Sequence, residues 1–181
     1  MNAKIEFFIS PEGQIMWIEA GDSQMKCLTE KERDLCGRIL GMIERIYPEA
    51  YKELSKLYEK SKLNIPHYEF LMASRFIRCN FGKFDGLTYD IDGLVMHIEE
   101  VSCPIRCECP FANVICKPKP LGLTERELTI AKMASEDMTY DEISQKLGIS
   151  HSTIKNFLQI IRKKLKLSSS KDIAKIIIAT L

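Results

Sequence analysis

Two groups of side chains in this 181-residue chain could do chemistry. The first is a set of thiols. Cys103, Cys107, Cys109 and Cys116 fall within the stretch CPIRCECPFANVIC, and Cys79 precedes them in CNFG. Thiolates are strong ligands for Zn²⁺ and for iron–sulfur clusters. Close spacing lets several of them converge at little cost in loop entropy. The expected ligand set is Cys79, Cys103, Cys109 and Cys116, with Cys107 as the alternate; zinc is the expected ion and an iron–sulfur cluster the alternative. The paired C-x-x-C of a zinc ribbon is absent, as are the ferredoxin spacings. Redox-active thiols and buried cysteines acting as small hydrophobes therefore stay open as readings. The chain has 7 Cys, and an odd number without a secretory signal points to reduced thiols rather than a disulfide framework. Cys27 and Cys36 read as packing residues. The three histidines, His67, His97 and His151, are dispersed. His97 is the nearest to a metal partner, and His151 is placed to touch phosphate.

The second group lies in SHSTIKNFLQIIRKKLKL, residues 150–167. Ile154, Phe157, Leu158, Ile161 and Leu165 recur at helical spacing as one apolar stripe. Ser152, Lys155, Asn156, Gln159 and Lys163 repeat that spacing on another face. Lys, Asn and Gln carry donors, and the two amides also carry acceptors, so this face can distinguish base edges in the major groove of duplex DNA. Arg162, Lys163, Lys164 and Lys166 follow near the far end, where cations suit phosphate contacts. A helix anchored by one stripe and reading with the other is the helix-turn-helix arrangement. The competing reading is an ordinary amphipathic helix with a solvated basic face.

These groups need elements to position them. KIEFFISPEGQIMWIEA, 4–20, reads as a β-hairpin about Pro11-Glu12-Gly13. A helix over 29–47 opens on a capping box, Thr29 with Glu32, and carries Leu35, Ile39, Met42, Ile43 and Ile46 inward. Pro48 opens a second helix, and a third follows Pro66, with Phe70, Leu71, Phe76 and Ile77 apolar, stopping near Gly82. LTYDIDGLVMHIEEV, 87–101, reads as another hairpin, with Asp92-Gly93 suited to a two-residue turn. The pattern is α+β with a Cys-rich loop, not alternating strand and helix. Two prolines and a glycine in CKPKPLG place a domain boundary, giving domains 1–119 and 120–181. Beyond it, Thr124 with Glu127 and Thr139 with Glu142 are further capping boxes. They open helices with Leu128, Ala131 and Ala134, then Ile143 and Leu147, facing inward. Gly148 turns the chain, Ser150 caps the helix over 151–165, and a last helix begins near Ser170 with Ile173, Ile176, Ile177 and Thr180 along one side.

Charge is distributed accordingly. Residues 1–120 hold 16 Lys and Arg against 18 Asp and Glu, whereas 151–175 hold 7 against 1. A basic patch on a near-neutral chain suggests a polyanion partner. No run approaches the ~20 apolar residues of a membrane span, and the N-terminus lacks a signal peptide, so the expected location is cytoplasmic. No Gly-rich phosphate loop, nucleophile elbow, H-E-x-x-H or Ser/His/Asp arrangement is present, and the chain is not expected to be an enzyme.

The C-terminal third resembles the LuxR/GerE-type helix-turn-helix domain. The resemblance rests on Leu123-Thr124-Glu125-Arg126-Glu127, Glu142-Ile143-Ser144 with Leu147-Gly148-Ile149-Ser150, and Thr153-Ile154-Lys155 with Lys164-Leu165-Lys166-Leu167. It implies an all-α four-helix module that binds double-stranded DNA, usually as a homodimer, with the fourth helix helping to dimerise. Carried over, Thr153 matches a phosphate contact, Lys155 a lysine near bases and backbone, and Ile154 a valine able to touch a thymine methyl. The expected DNA-binding set is thus Ser152, Thr153, Ile154, Lys155, Asn156, Gln159, Arg162, Lys163 and Lys164. The chain departs from the family pattern at Asp137, where glycine is usual, and at Phe157 and Ile160, where polar His and Asn are commoner. The resulting expectation is a transcriptional regulator whose N-terminal domain senses or dimerises. The alternative is an interaction module contacting RNA polymerase, since region 4 of sigma factors has a related helix-turn-helix.

Overall fold

The computed structural model describes residues 4–82, 88–169 and 171–180. They form two compact units, 1–118 and 119–181. Among the described residues, no helix is long and apolar enough to cross a membrane.

In the first unit, β1 (Lys4–Ile9) and β2 (Ile15–Glu19) form the first hairpin, with Phe7 opposite Trp17. A short strand that the sequence pattern does not show, β3 (Lys26–Cys27), pairs with β2. Helices α1 (Arg33–Ile46), α2 (Pro48–Leu57) and α3 (Ile65–Asn80) follow, then β4 (Ile91–Asp92) and β5 (Val95–Met96). The two hairpins join through β1 and β4 into one antiparallel sheet of order β3-β2-β1-β4-β5. Its core combines Ile5, Phe7, Ile15 and Trp17 from the strands with Ile39, Ile43, Leu54, Phe76, Ile77 and Phe81. Phe7 stacks on Phe81 with centroids 5.8 Å apart. The buried Asp90 carboxylate accepts the Phe7 amide at 2.7 Å, and its backbone carbonyl accepts the His97 amide at 2.8 Å, which pins the second hairpin to β1.

Three expectations shift. Helix α1 begins at Arg33, because Thr29 and Glu32 bond to each other in a turn before the helix; the Thr29 amide donates to Glu32 Oε2 at 2.8 Å. The inward row of α3 is Met72, Ala73, Phe76 and Ile77, leaving Phe70 and Leu71 only half-buried. Asp92 pairs with Val95, so the second hairpin turns on Gly93-Leu94 rather than Asp92-Gly93. Of the segment expected as that hairpin, Leu87 lies outside the described residues, as does Ser170, the expected start of the last helix.

In the second unit, α4 (Glu125–Ser135), α5 (Tyr140–Leu147), α6 (His151–Lys164) and α7 (Lys171–Thr180) enclose a core of Leu123, Ile130, Ala131, Ile143, Ile154, Leu158, Ile161, Ile173 and Ile177. Both capping boxes are formed. The Thr124 amide donates to Glu127 Oε2 and the Thr139 amide to Glu142 Oε2, each at 2.7 Å, while each threonine hydroxyl accepts the reciprocal amide. Gly148 turns the chain with φ +63°. Ser144 Oγ donates to the Ile149 carbonyl at 2.7 Å and Ser150 caps α6, fixing the angle between α5 and α6.

Helix α4 ends with Asp137 at φ +57° and the Met138 amide donating to the Met133 carbonyl. This is a Schellman closure, and its left-handed position favours glycine. The departure at Asp137 from the family pattern therefore carries a backbone cost. Asp137→Gly is expected to stabilise the second unit by about 1 kcal/mol, read as a higher unfolding midpoint of the full chain with amide exchange in α4 slowed. Unchanged exchange would show that the aspartate tolerates the conformation at no cost.

Candidate nucleic-acid interface

The orientation of α6 follows from its buried side. Ile154, Leu158 and Ile161 are at most 4% exposed, and Phe157 and Leu165 pack partly against the same core. Opposite them, His151, Ser152, Lys155, Asn156, Gln159, Ile160 and Lys163 are exposed. The side chains of Lys155, Asn156, Gln159 and Lys163 make no hydrogen bond or ion pair among the described residues, so their donors and acceptors face solvent. The first turn of α6 is set by hydroxyls. Ser150 Oγ lies 2.8 Å from both Ser152 Oγ and Thr153 Oγ1. His151 Nε2 is 2.9 Å from Asp141 Oδ1, which ties the starts of α5 and α6 together at the surface.

Three residues of the expected contact set take other positions. Ile154 is fully buried and cannot reach a thymine methyl; it sits on the inward stripe, one helical step from the exposed Lys155. The Lys164 ammonium donates to Glu127 Oε2 at 2.7 Å and to the Gly122 carbonyl at 3.3 Å, so it clamps the end of α6 onto the start of α4. Burial pushes the Glu127 carboxyl up, but the bonds from Lys164 and Thr124 outweigh it and hold the group below its ordinary value. Arg162 donates to the Ser168 carbonyl at 2.6 Å and closes the end of α6. Beside it, the Leu167 amide donates to the Arg162 carbonyl and Lys166 adopts φ +55°, a second Schellman closure. Lys163 and Lys166 remain as unengaged cations at this end, with Lys155 further along the helix. Arg126, which the motif alone does not explain, donates to the Leu147 carbonyl at 3.1 Å and holds α4 to the end of α5.

The cysteines lie in the first unit. Cys36 is buried in α1, and burial, with Glu32 and Glu69 nearby, pushes its thiol up to about 11, so it is an inert packing residue. Cys79 lies half-buried in the last turn of α3, Cys109 is half-buried, Cys116 is buried, and Cys103 and Cys107 are exposed. All seven are free thiols. Among the described residues, no group of three or more His, Cys, Asp or Glu side chains could hold a metal ion, so the expected set Cys79, Cys103, Cys109 and Cys116 is not brought together as one. His97 is exposed in the second hairpin and His67 pairs with Glu30 at 2.6 Å.

Residues 121–177 match the family of bacterial regulatory proteins, luxR family (GerE). The match falls within the second unit and identifies it as a LuxR-type helix-turn-helix domain, which supports a DNA-binding role in the regulation of transcription. No curated protein and no solved structure matches the chain.

Proposed function

We propose that this protein is a sequence-specific transcriptional regulator of bacterial type that places α6 in the major groove of double-stranded DNA. The observation that carries the proposal is the outward row Lys155, Asn156 and Gln159. It is fully presented and unpartnered, on a helix whose opposite side is locked into a core. Asn156 and Gln159 offer paired donor and acceptor groups to adenine or to other base edges, and Lys155 reaches guanine or the backbone. Ser152 and Thr153 stand at the helix start, where hydroxyls and helical amides suit a phosphate. Lys163 and Lys166 add phosphate contacts at the far end, and Arg162 and Lys164 hold the helix rather than the DNA. The protein acts in the cytoplasm as a homodimer, and carries no catalytic activity. Helix α7 supports the dimer: Ile173 and Ile177 serve the core of the unit, while Ile178 is 72% exposed on the outside. The first unit senses a signal or adds to the dimer contact.

Selection of bound sequences from random duplexes, followed by affinity measurements on the winner at several salt concentrations, tests this reading. Among the described residues of α6 and the turn after it, the ammonium groups of Lys155, Lys163 and Lys166 make no hydrogen bond or ion pair. Neutralising three phosphates per copy gives a slope of log affinity against log salt of about −3 for one bound copy and about −5 for two. Affinity should then fall roughly twentyfold per tripling of salt for one copy. Failure to enrich any sequence, with binding indifferent to salt, would remove the proposal. One feature favours the second reading, a protein partner such as RNA polymerase: Ile160, 43% exposed on α6 where the family is commonly polar. That reading predicts salt-insensitive binding abolished by Ile160→Asp.

A further inference from the structure

Helix α1 carries glycine at two successive turns, Gly37 and Gly41. Glycine inside a helix weakens it relative to alanine. Such a cost is commonly offset where a neighbouring element needs the room. Here a Cβ built at either position meets no atom within 4 Å beyond the helix's own backbone and the adjoining residues. Both glycines are exposed. Packing within the chain therefore does not explain them. What they leave open is one side of a cavity of about 450 Å³. That volume falls within the range of small-ligand sites, roughly 300–1,000 Å³.

Three helices of the first unit enclose this space. Gly37, Leu40, Gly41 and Glu44 line it from α1 at the i, i+3, i+4, i+7 spacing of one helix face. Ile65, Tyr68 and Glu69 line it from α3 at i, i+3, i+4, and Tyr51 from the first turn of α2. The polar groups are acidic or phenolic. Glu44 makes no hydrogen bond or ion pair among the described residues. Glu69 meets the Arg33 guanidinium only at 3.6 Å, longer than a charge-assisted bond. Lys62, from the link between α2 and α3, lies 3.8 Å from Glu59, a carboxylate outside the lining. Tyr68 Oη donates to Ser55 Oγ at 2.8 Å, which ties its ring to α2.

We propose that this cavity binds a small organic cation, an amine or quaternary ammonium ion on an apolar body. The carboxylates of Glu44 and Glu69 hold the charge. The tyrosine rings add attraction between a cation and an aromatic face. Leu40 and Ile65 shelter the apolar body, and the two glycines let it approach α1 closely. An anionic ligand would meet two like charges. A bare metal ion lacks ligands here, since among the described residues no three His, Cys, Asp or Glu side chains converge to hold one. That the cation is the signal read by the first unit rests on the sensing role proposed above.

The test titrates the full chain by calorimetry with 2-phenylethylammonium and with tetraethylammonium. The controls are 2-phenylethanol, a neutral isostere, and the anion phenylacetate. The expected result is saturable binding of about one cation per chain, with 2-phenylethanol at least about tenfold weaker and phenylacetate not bound. Glu44→Gln weakens the cations at least about fivefold and leaves 2-phenylethanol unchanged. Gly41→Leu fills the space from α1. Leucine is the better helix former and its Cβ meets nothing, so this variant keeps its unfolding midpoint and loses the cations. A folded native chain that binds neither cation overturns the proposal. So does equal binding of 2-phenylethanol, or undiminished binding by Gly41→Leu. A particle mass halved in Gly41→Leu, with no cation bound by the native chain, would assign the face to a second copy instead. None of these readouts involves DNA, so the site stands or falls separately from the function proposed for α6. Affinity for the selected duplex is then measured with and without bound cation. Binding that leaves this affinity unchanged keeps the site and removes the sensing role.

Discussion

Replacing Lys155, Asn156 and Gln159 together by alanine is expected to lower affinity for the selected duplex about 10³-fold, to the level of binding on unrelated sequence. The size follows from what the three side chains can do. Specific complexes exceed non-specific ones by at least about 10³, and each well-placed base contact contributes roughly 1–3 kcal/mol of discrimination. The fold has no reason to respond. None of the three touches another side chain through a polar contact among the described residues, each is exposed, and alanine has the highest helix propensity. The single variants should separate by chemistry. Asn156→Ala and Gln159→Ala relax preference at particular base pairs and leave the salt slope unchanged. Lys155→Ala also reduces that slope by about one if its ammonium reaches a phosphate. Fluorescence anisotropy against the selected duplex and a scrambled one, with circular dichroism on each variant, makes the comparison. Should the triple variant, folded as before, still prefer the selected duplex, base readout must lie elsewhere and α6 is not the reading helix.

The parts of the site legible in the sequence are those that depend on neighbours three or four residues away. The pairs Thr124/Glu127 and Thr139/Glu142, the glycine at 148 and the stripe Ile154, Leu158, Ile161 specify their geometry locally, and the second unit is built from them. The same local rule misplaces the start of α1. The Thr29 amide and hydroxyl do donate to the Glu32 carboxylate, but the Glu32 amide donates to the Thr29 carbonyl, so the pair forms a turn leading out of the strands rather than the first turn of a helix. What was not legible is long-range. Nothing in the spacing of the two hairpins says that β1 pairs with β4, because that register depends on residues nearly ninety positions apart. Nor does a run of basic residues say which of them faces outward. Ile154 shares a family position with a base-contacting residue and is nonetheless buried, and Lys164, in the middle of the basic run, turns to a carboxylate 37 residues earlier. Charge counting assigns both lysines of the pair 163–164 to phosphate, whereas a helical step of about 100° between them sends only one to solvent unengaged.

Lys164 therefore supports a second prediction, on stability. Lys164→Met keeps the aliphatic stem and removes the ammonium that holds Glu127, a carboxylate whose side chain is only 7% exposed. A charge-assisted bond to a group so buried contributes about 2 kcal/mol, and in a unit of this size that lowers the unfolding midpoint by roughly 10 °C. The pH dependence identifies the cause. In the native chain Glu127 is held below its ordinary value of 4.5, so its contribution is present above that value and is lost as the pH falls through the depressed one. In Lys164→Met only the bonds from Thr124 still oppose burial, so the carboxyl shifts upward from its native position. Protonation then relieves the variant first, and the difference between native and variant chains should shrink as the pH falls from the variant's raised value toward the depressed native one. Glu127→Gln combined with Lys164→Met removes both charges and should recover part of the loss, because a buried pair is harmed most by losing one member. Amide exchange in α4 and α6 assigns the transition to the second unit. The same variant settles the division of labour on α6. If the ammonium serves Glu127 alone, Lys164→Met, folded at low temperature, keeps both its preference for the selected duplex and its salt slope. A slope reduced by about one, with stability unchanged, would mean that the lysine leaves Glu127 for a phosphate.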